Sequence, residues 1–264
     1  MCGRYVIIST PEAIRALFGY AEQPNFPPRY NVAPTQPVPV VRLDGGKRKF
    51  ALMRWGLLPS WVKDAKTFPL LINARGESVL EKPAFRNAMR RRRCLIPADG
   101  FYEWQAGRAG GPKRPYFVRA RRESGGEAPP LAFAGLYETW TGPNGEELDT
   151  AAIVTTAANR TLAAIHDRMP VFVPREAFDL WLDCNNIEPD VAAALIRPAD
   201  DGLLEAYEIS TAVNRVANDS ESLLQPASAE PAEPPPAAAA LPVKPAKAKK
   251  RNASGGQASL FEFE

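Results

Sequence analysis

The sequence predicts an α+β fold: a single domain built on a mainly antiparallel, barrel-like β-sheet with a few peripheral helices, followed by a disordered C-terminal tail. Short runs rich in β-branched and aromatic residues recur from Gly3 to about Ser210, and Gly, Pro and Asn clusters separate them. Helical patterns are few in the same region, so the strands dominate the predicted fold.

The predicted strands come in a regular succession along the folded part. They cover residues 5–8, 38–43, 50–55, 116–118, 131–137 and 152–154. The glycine-rich stretch between Gln105 and Arg114 and the sequence GPNG at 142–145 are predicted hairpin tips, because these residues suit tight turns. Strands joined by such turns pair antiparallel.

Three helices are expected at the periphery. Thr10 followed by Pro11 suits a helix start, since threonine caps the first turn and proline is favoured at the first helical position, and this helix ends at Phe18. A second is predicted at residues 174–182, where apolar side chains share one face, and a third from Pro189 to about Ile196.

Composition limits the classes of protein that fit. The 264 residues carry a net charge of +3, three widely spaced cysteines and one histidine, so neither a disulfide framework nor a zinc site is indicated, and no cofactor is expected. No apolar run reaches the roughly 20 residues of a membrane span, and no secretory signal pattern is present. We expect a cytoplasmic monomer. Four consecutive arginines at 90–93 are interpreted first as a solvated face.

The composition changes after about Ser222, where Ala, Pro and Lys take over. Such a sequence buries too little apolar surface to fold, so three regions are predicted: a domain at 2–222, a disordered linker at 223–256 and a terminal peptide at 257–264.

The terminal peptide regains apolar residues and resembles a docking motif. Gln257, Ser259, Leu260 and Phe261 match the pentapeptide by which bacterial proteins dock on the replicative sliding clamp. The sequence therefore predicts the clamp as a partner; the alternative is an ordinary frayed terminus.

The second residue carries the most specific chemistry. Removal of Met1 would leave Cys2 with a free α-amine, whose reference pKa is about 7.7–8.0, beside a thiol of about 8.5. Such a 1,2-aminothiol traps an aldehyde, because the amine forms a Schiff base and the thiol closes on it to give a thiazolidine. The alternative is a small buried residue ahead of the first strand.

Four further segments each combine polar side chains with a proline or a glycine: RYNVAPT (29–35), INARGE (72–77), ADGFYEW (98–104) and IHDRMP (165–170). Together with MCGR at the N-terminus, and in this order, they make residues 2 to about 210 resemble the SRAP family, the SOS-response-associated peptidase fold. Members of that family include abasic-site shields that crosslink themselves to single-stranded DNA. The resemblance implies the same substrate for this chain.

Formation of the adduct requires proton transfers and an oriented amine, which gives each catalytic candidate a role. The resemblance to the SRAP family implies the same roles. Glu103 would move the proton that accompanies sugar ring opening and Schiff-base formation, and His166 would support that proton traffic near neutral pH. Asn73 offers a donor and an acceptor that hold the Cys2 amine. In isolation, each residue also fits a structural role.

DNA must also be held in place. Arg75 and Arg168 each lie two residues after a catalytic candidate, on the same face if the segment is a strand, and guanidinium groups suit phosphate oxygens. Arg4 is the next choice. Base contacts are assigned to three more residues, namely Asn31, Pro34 and Trp61. Trp61 is equally compatible with a core position, and Val62 stands where family members often have a second aromatic residue.

Three other functions fit parts of the pattern. A glutamine amidotransferase or related N-terminal-nucleophile hydrolase also begins with Cys2 and uses it for acyl transfer. A cysteine peptidase would combine Cys2, His166 and an acid. A non-covalent single-strand binding module would leave Cys2 and Glu103 without a task. The sequence favours the abasic-site crosslinking protein over all three.

Overall fold

The computed structural model of the chain describes residues 2–107, 110–122 and 128–227. Twelve strands are found in these ranges: β1 (Tyr5–Ile7), β2 (Arg29–Val32), β3 (Pro37–Asp44), β4 (Lys47–Trp55), β5 (Asn73–Arg75), β6 (Arg93–Ala98), β7 (Gly100–Gln105), β8 (Arg114–Ala120), β9 (Leu131–Thr141), β10 (Glu147–Ala157), β11 (Arg168–Pro170) and β12 (Leu204–Glu208).

The helices are short. They are α1 (Pro11–Phe18), α2 (Arg86–Arg91), α3 (Arg160–Ala163), α4 (Phe178–Leu182) and α5 (Pro189–Ala193), with 3-10 turns at Gly76–Ser78, Arg175–Ala177, Thr211–Asn214 and Glu221–Leu224. No helix in the described part of the chain has the length and apolarity needed to span a bilayer.

The strands form a closed barrel and a second sheet. In the first, β10, β4, β3, β6 and β9 pair in that order and β9 pairs back with β10, which closes a five-stranded barrel. Its pairings are antiparallel except for that between β10 and β4. The second sheet has the order β12-β8-β7-β1-β2 and is antiparallel throughout. The predicted α+β class with a barrel-like, mainly antiparallel sheet is confirmed.

The long strand β10 brings two distant motifs together. Its second half pairs with β5 in parallel and with β11 in antiparallel orientation, so Thr155 lies between Arg75 and Pro170. The same strand pairs Ile153 with Asn73. β10 thus carries the segments around residues 73 and 168 on its two sides.

Helix α1 begins and ends as its sequence predicts. The Thr10 hydroxyl accepts a hydrogen bond from the Ala13 N–H at 3.2 Å, and Gly19 ends the helix in the left-handed conformation at φ 73°. Residues 174–182 instead form a 3-10 turn followed by α4, and the third predicted helix is confined to α5.

The four arginines at 90–93 do not form one surface. Arg90 and Arg91 are exposed, and Arg92 pairs with Glu138. Arg93 is buried, and its guanidinium donates to carbonyl oxygens at 2.6–3.0 Å; these belong to Met89, Trp181, Asp183 and Ile187. Burial lowers the pKa of Arg93. Arg93 therefore joins α2, α4 and the loop after α4.

The folded unit extends to Ala227. Leu223 is buried in a small apolar cluster with Val6 and Tyr102, and Pro226 forms a bridge with Ile209. The rest of the predicted linker and the proposed clamp peptide, with Gln257, Ser259, Leu260 and Phe261, lie outside the described residues.

Candidate active site

Cys2 is buried and lies three residues before the start of β1, which is held between β2 and β7. Its Sγ is 3.9 Å from the Arg4 carbonyl oxygen, in reach of a weak S–H···O hydrogen bond. Burial raises the pKa of the Cys2 thiol well above its ordinary value, and the nearby Glu103 carboxylate adds to that rise. At neutral pH the sulfur therefore keeps its proton until a base removes it.

Asn73 touches Cys2 directly. It opens β5, and its Nδ2 donates to the Cys2 carbonyl oxygen at 2.9 Å. The backbone of the preceding residue, Ile72, is also held in place, because its carbonyl oxygen accepts a hydrogen bond from the Trp55 indole N–H at 3.0 Å. The Asn73 Oδ1 atom is buried and has no hydrogen-bond partner among the described residues. An acceptor is therefore held next to the residue that supplies the nucleophile.

Glu103 is a buried carboxyl group on β7, only 2% exposed. Burial raises its pKa above the usual value, since a charged carboxylate is poorly solvated there, and the neighbouring His166 opposes part of that rise. A carboxyl group with a raised pKa retains a proton at a pH where an exposed glutamate has lost it, so it can act as a general acid as well as a base.

His166 lies in the turn after α3. The Arg168 backbone N–H donates to His166 Nδ1 at 2.9 Å, which assigns the neutral ring's proton to Nε2. Asp167 Oδ1 also lies 2.8 Å from Nδ1, where it accepts a hydrogen bond only if Nδ1 carries a proton, and that carboxylate is largely exposed. The Arg168 N–H always carries its proton and is fixed in the backbone, so its bond to Nδ1 sets the tautomer. The turn is anchored to β7 because Gln105 Nε2 donates to the Ala164 carbonyl oxygen.

The structure thus brings the four predicted catalytic residues together from separate segments. Asn73 is bonded to Cys2, Glu103 interacts with the Cys2 thiol, and His166 interacts with Glu103. Their arrangement offers a nucleophile, a proton-transfer pair and a polar positioning group in one place. The roles assigned to them remain predictions.

Arg4 and Asn31 use their polar groups inside the protein. Arg4 Nη1 donates to Asn31 Oδ1 at 2.8 Å and to the Val213 carbonyl oxygen at 3.0 Å. Asn31 is fully buried, and its Nδ2 donates to the carbonyl oxygens of Val213, Arg215 and Asn218. Both side chains therefore hold residues 213–218 against β2, and Asn31 can contact DNA only by leaving these bonds.

Trp61 and Pro34 are placed differently. Trp61 is 55% exposed, so the core interpretation is excluded, and its ring packs edge-on against Phe68 at 5.5 Å. Val62 is buried in the cluster formed with Leu58 and Trp140. Pro34 is half-buried. Sequence reasoning missed Phe68, which gives Trp61 an aromatic neighbour although residue 62 is aliphatic.

The two predicted phosphate-binding arginines differ in their surroundings. Arg75 is exposed on β5, where it alternates with Ala74 and shares a face with Asn73. Arg168 opens β11, whereas His166 lies outside that strand, so the shared strand face applies only to the first pair. The Arg168 side chain is 14% exposed and forms a two-bond ion pair with Glu77 at 2.6 and 2.9 Å.

Comparison with known proteins relates the chain to a family. The family model described as SOS response associated peptidase (SRAP) matches residues 1–216. The chain is 40% identical over 228 residues to the abasic site processing protein YoqW of Bacillus subtilis, which covers 85% of this chain and 99% of that protein.

Two proteins with lower sequence identity also match this chain. The abasic site processing protein HMCES of Rattus norvegicus is 32% identical over 245 residues, with 81% of this chain and 69% of that protein covered. A crystal structure of a protein from Bacteroides thetaiotaomicron superimposes with a TM-score of 0.74 at 26% identity, covering 86% of this chain and all of the other.

Proposed function

This chain belongs to the SRAP family, and from that membership we propose that it processes abasic sites in single-stranded DNA by forming a covalent thiazolidine crosslink through Cys2. The observation that carries the proposal is the contact of Cys2 with Asn73 beside the buried Glu103. The relatives' names support abasic-site processing, and the site geometry supports this mechanism for it.

The proposed reaction begins with removal of Met1, autocatalytically or by an aminopeptidase, which frees the Cys2 α-amine. The amine adds to the aldehyde carbon of the ring-opened sugar, and the resulting carbinolamine loses water to form an imine. The thiol sulfur then bonds to the imine carbon while its proton passes to the nitrogen. The product is protein plus DNA minus one water.

The described side chains fit these proton transfers. Glu103, with its raised pKa, is suited to protonate the departing hydroxyl and then to accept the thiol proton. His166, with its proton on Nε2, supports the exchange. The buried Asn73 Oδ1 is suited to accept a hydrogen bond from the freed amine and to orient it toward the aldehyde.

A denaturing gel tests the proposal. Incubation with a single-stranded oligonucleotide that carries one abasic site should give a band that survives heat and denaturant. The same oligonucleotide with an intact base should give none. An equal yield from both would reject abasic-site chemistry.

Exposed Arg75 supports a first prediction about DNA binding. Arg75→Ala should weaken binding to single-stranded DNA and lower the salt slope of the affinity by about 0.7, because one phosphate contact fewer releases one counterion fewer. Fluorescence anisotropy across a salt series measures this. Arg90→Ala, another exposed arginine, is the control. A slope unchanged in Arg75→Ala would remove Arg75 from the phosphate-binding set.

The terminal peptide extends the proposal to the replication machinery. Gln257, Ser259, Leu260 and Phe261 suit the pockets of a sliding clamp, which would recruit the protein to replication sites. Deleting residues 257–264 should abolish binding to the purified clamp and leave crosslinking of free oligonucleotides intact. Surface plasmon resonance on immobilised clamp measures the first effect. Clamp affinity retained after the deletion would reject this part of the proposal.

A further inference from the structure

We propose that Glu77 is a positioning residue that holds Arg168, and through the Arg168 backbone the His166 ring, in the orientation used for crosslinking. This inference rests on the proposed function for its catalytic consequence. The effect of Glu77 on the His166 tautomer does not depend on the proposed function.

Glu77 and Arg168 form an ion pair with two parallel hydrogen bonds. Both Glu77 carboxylate oxygens accept from the Arg168 guanidinium, Oε1 from Nη1 at 2.6 Å and Oε2 from Nη2 at 2.9 Å. Arg168 Nη2 also donates to the Thr155 carbonyl oxygen at 2.7 Å. The hydrogen bonds from Arg168 lower the pKa of Glu77, so its carboxylate is charged at neutral pH. A two-bond pair of this kind fixes direction as well as distance.

The ion pair is connected to His166 through the backbone of Arg168. Glu77 lies in the 3-10 turn directly after β5, whereas Arg168 is the first residue of the three-residue strand β11. The end residue of so short a strand has few ladder bonds of its own. Its side-chain anchors to Glu77 and Thr155 therefore restrain the backbone N–H that donates to His166 Nδ1.

The ion pair also affects the capacity of Arg168 to bind DNA. Carboxylate and phosphate compete for the same face of a guanidinium group. Glu77 already occupies two nitrogens of Arg168, which the sequence assigns to phosphate binding. Removing the carboxylate should therefore free a cation and strengthen DNA binding, although it loosens the histidine. A residue with a merely structural role would not move affinity and rate in opposite directions.

The chain offers a direct readout, because His166 is its only histidine. In ¹⁵N spectra of the imidazole at a pH where the ring is neutral, the parent should show Nδ1 as the acceptor and Nε2 carrying the proton. Glu77→Gln should average the two tautomers. Glu77→Asp, which keeps the charge, should retain more of the parent pattern, and Glu81→Gln, an exposed neighbour with the same charge change, should match the parent.

The same variants test the catalytic consequence. At saturating abasic DNA, Glu77→Gln should crosslink about tenfold more slowly, since small displacements of reacting groups are costly. Its affinity for intact single-stranded DNA should rise about threefold, the scale of one partly exposed ion pair.

Each outcome has a distinct meaning. A Glu77→Gln imidazole spectrum identical to the parent's would overturn the positioning role, whatever the DNA chemistry. Rate and affinity that fall together, or equal effects in Glu81→Gln, would overturn it too. A parent that forms no adduct would reject the proposed function but leave the tautomer result to decide the positioning role.

Discussion

Cys2→Ala is expected to reduce the heat-stable adduct with abasic single-stranded DNA to background. Alanine keeps the α-amine after Met1 is removed, so an imine still forms, but no thiol is present to close the ring. The variant should therefore be trapped only when borohydride is added during the incubation. Adduct yield on a denaturing gel, with and without the reductant, measures both effects.

The chain provides a matched control for this substitution. Cys184 is half-buried in a different part of the fold, where its Sγ accepts a hydrogen bond from the Arg93 N–H. Cys184→Ala should crosslink like the parent. A stable adduct from Cys2→Ala without reductant would show that the sulfur is dispensable and would contradict the thiazolidine mechanism.

Glu103→Gln carries the second largest expected effect. The amide has nearly the same shape but cannot exchange a proton, and losing a general acid or base costs typically 10²–10⁴ in rate. We expect single-turnover crosslinking to slow by about 10² or more, with little change in affinity for intact DNA. Rapid-quench kinetics at saturating DNA measure the rate. A variant as fast as the parent would remove Glu103 from the proton-transfer pathway.

The same substitution has a predictable effect on stability. Because burial raises the Glu103 pKa, the folded state binds more protons than the unfolded state between the unfolded value of about 4.3 and the raised folded value. The contribution of Glu103 to the free energy of unfolding of the parent therefore falls as pH rises through that window. The amide introduced by Glu103→Gln does not titrate, so the variant should gain stability relative to the parent from about pH 4.3 upward.

Urea denaturation at a series of pH values measures this gain. A stability difference that stays constant with rising pH would show that the Glu103 pKa is not raised in the folded protein, and one that shrinks would show that it is lowered. A catalytic group that destabilises its own fold is a recurrent feature of active sites.

Four of the five barrel strands were predictable because their signals are local. The strand runs at 38–43, 50–55, 131–137 and 152–154 all lie in barrel strands, since alternation and turn residues are visible within a few positions. The sequence did not predict β2, β6, β7 or β12, although β6 is a barrel strand. It also missed β5 and β11. Each has three residues and exists because it pairs with the long strand β10, a partner that is remote in sequence.

In the site, too, features that depend on neighbouring residues were predictable and features that depend on distant residues were not. Motif chemistry identified Cys2, Asn73, Glu103 and His166, and the structure places them together. Solvent exposure was not predictable in the same way. Asn31 and Arg93 look like surface residues in the sequence, but distant carbonyl groups satisfy their hydrogen bonds and allow burial.

The partner of Glu77 became known only from the structure. It stands inside the segment INARGE, and nothing nearby in the sequence indicates that its partner is Arg168. The two residues meet because β5 and β11 both pair with β10 and lie on either side of it. The ion pair then spans the distance with two long side chains, as Arg and Glu are able to do.

The central claim is that the Cys2 amine and thiol together capture the abasic-site aldehyde. Intact mass spectrometry of the purified protein, alone and after incubation with a single-stranded oligonucleotide bearing one abasic site, tests it most directly. We predict a protein lacking one methionine residue, and then a species equal to that protein plus the oligonucleotide minus one water. A protein that retains Met1 yet forms the adduct, or one that lacks Met1 and forms none, would contradict the account.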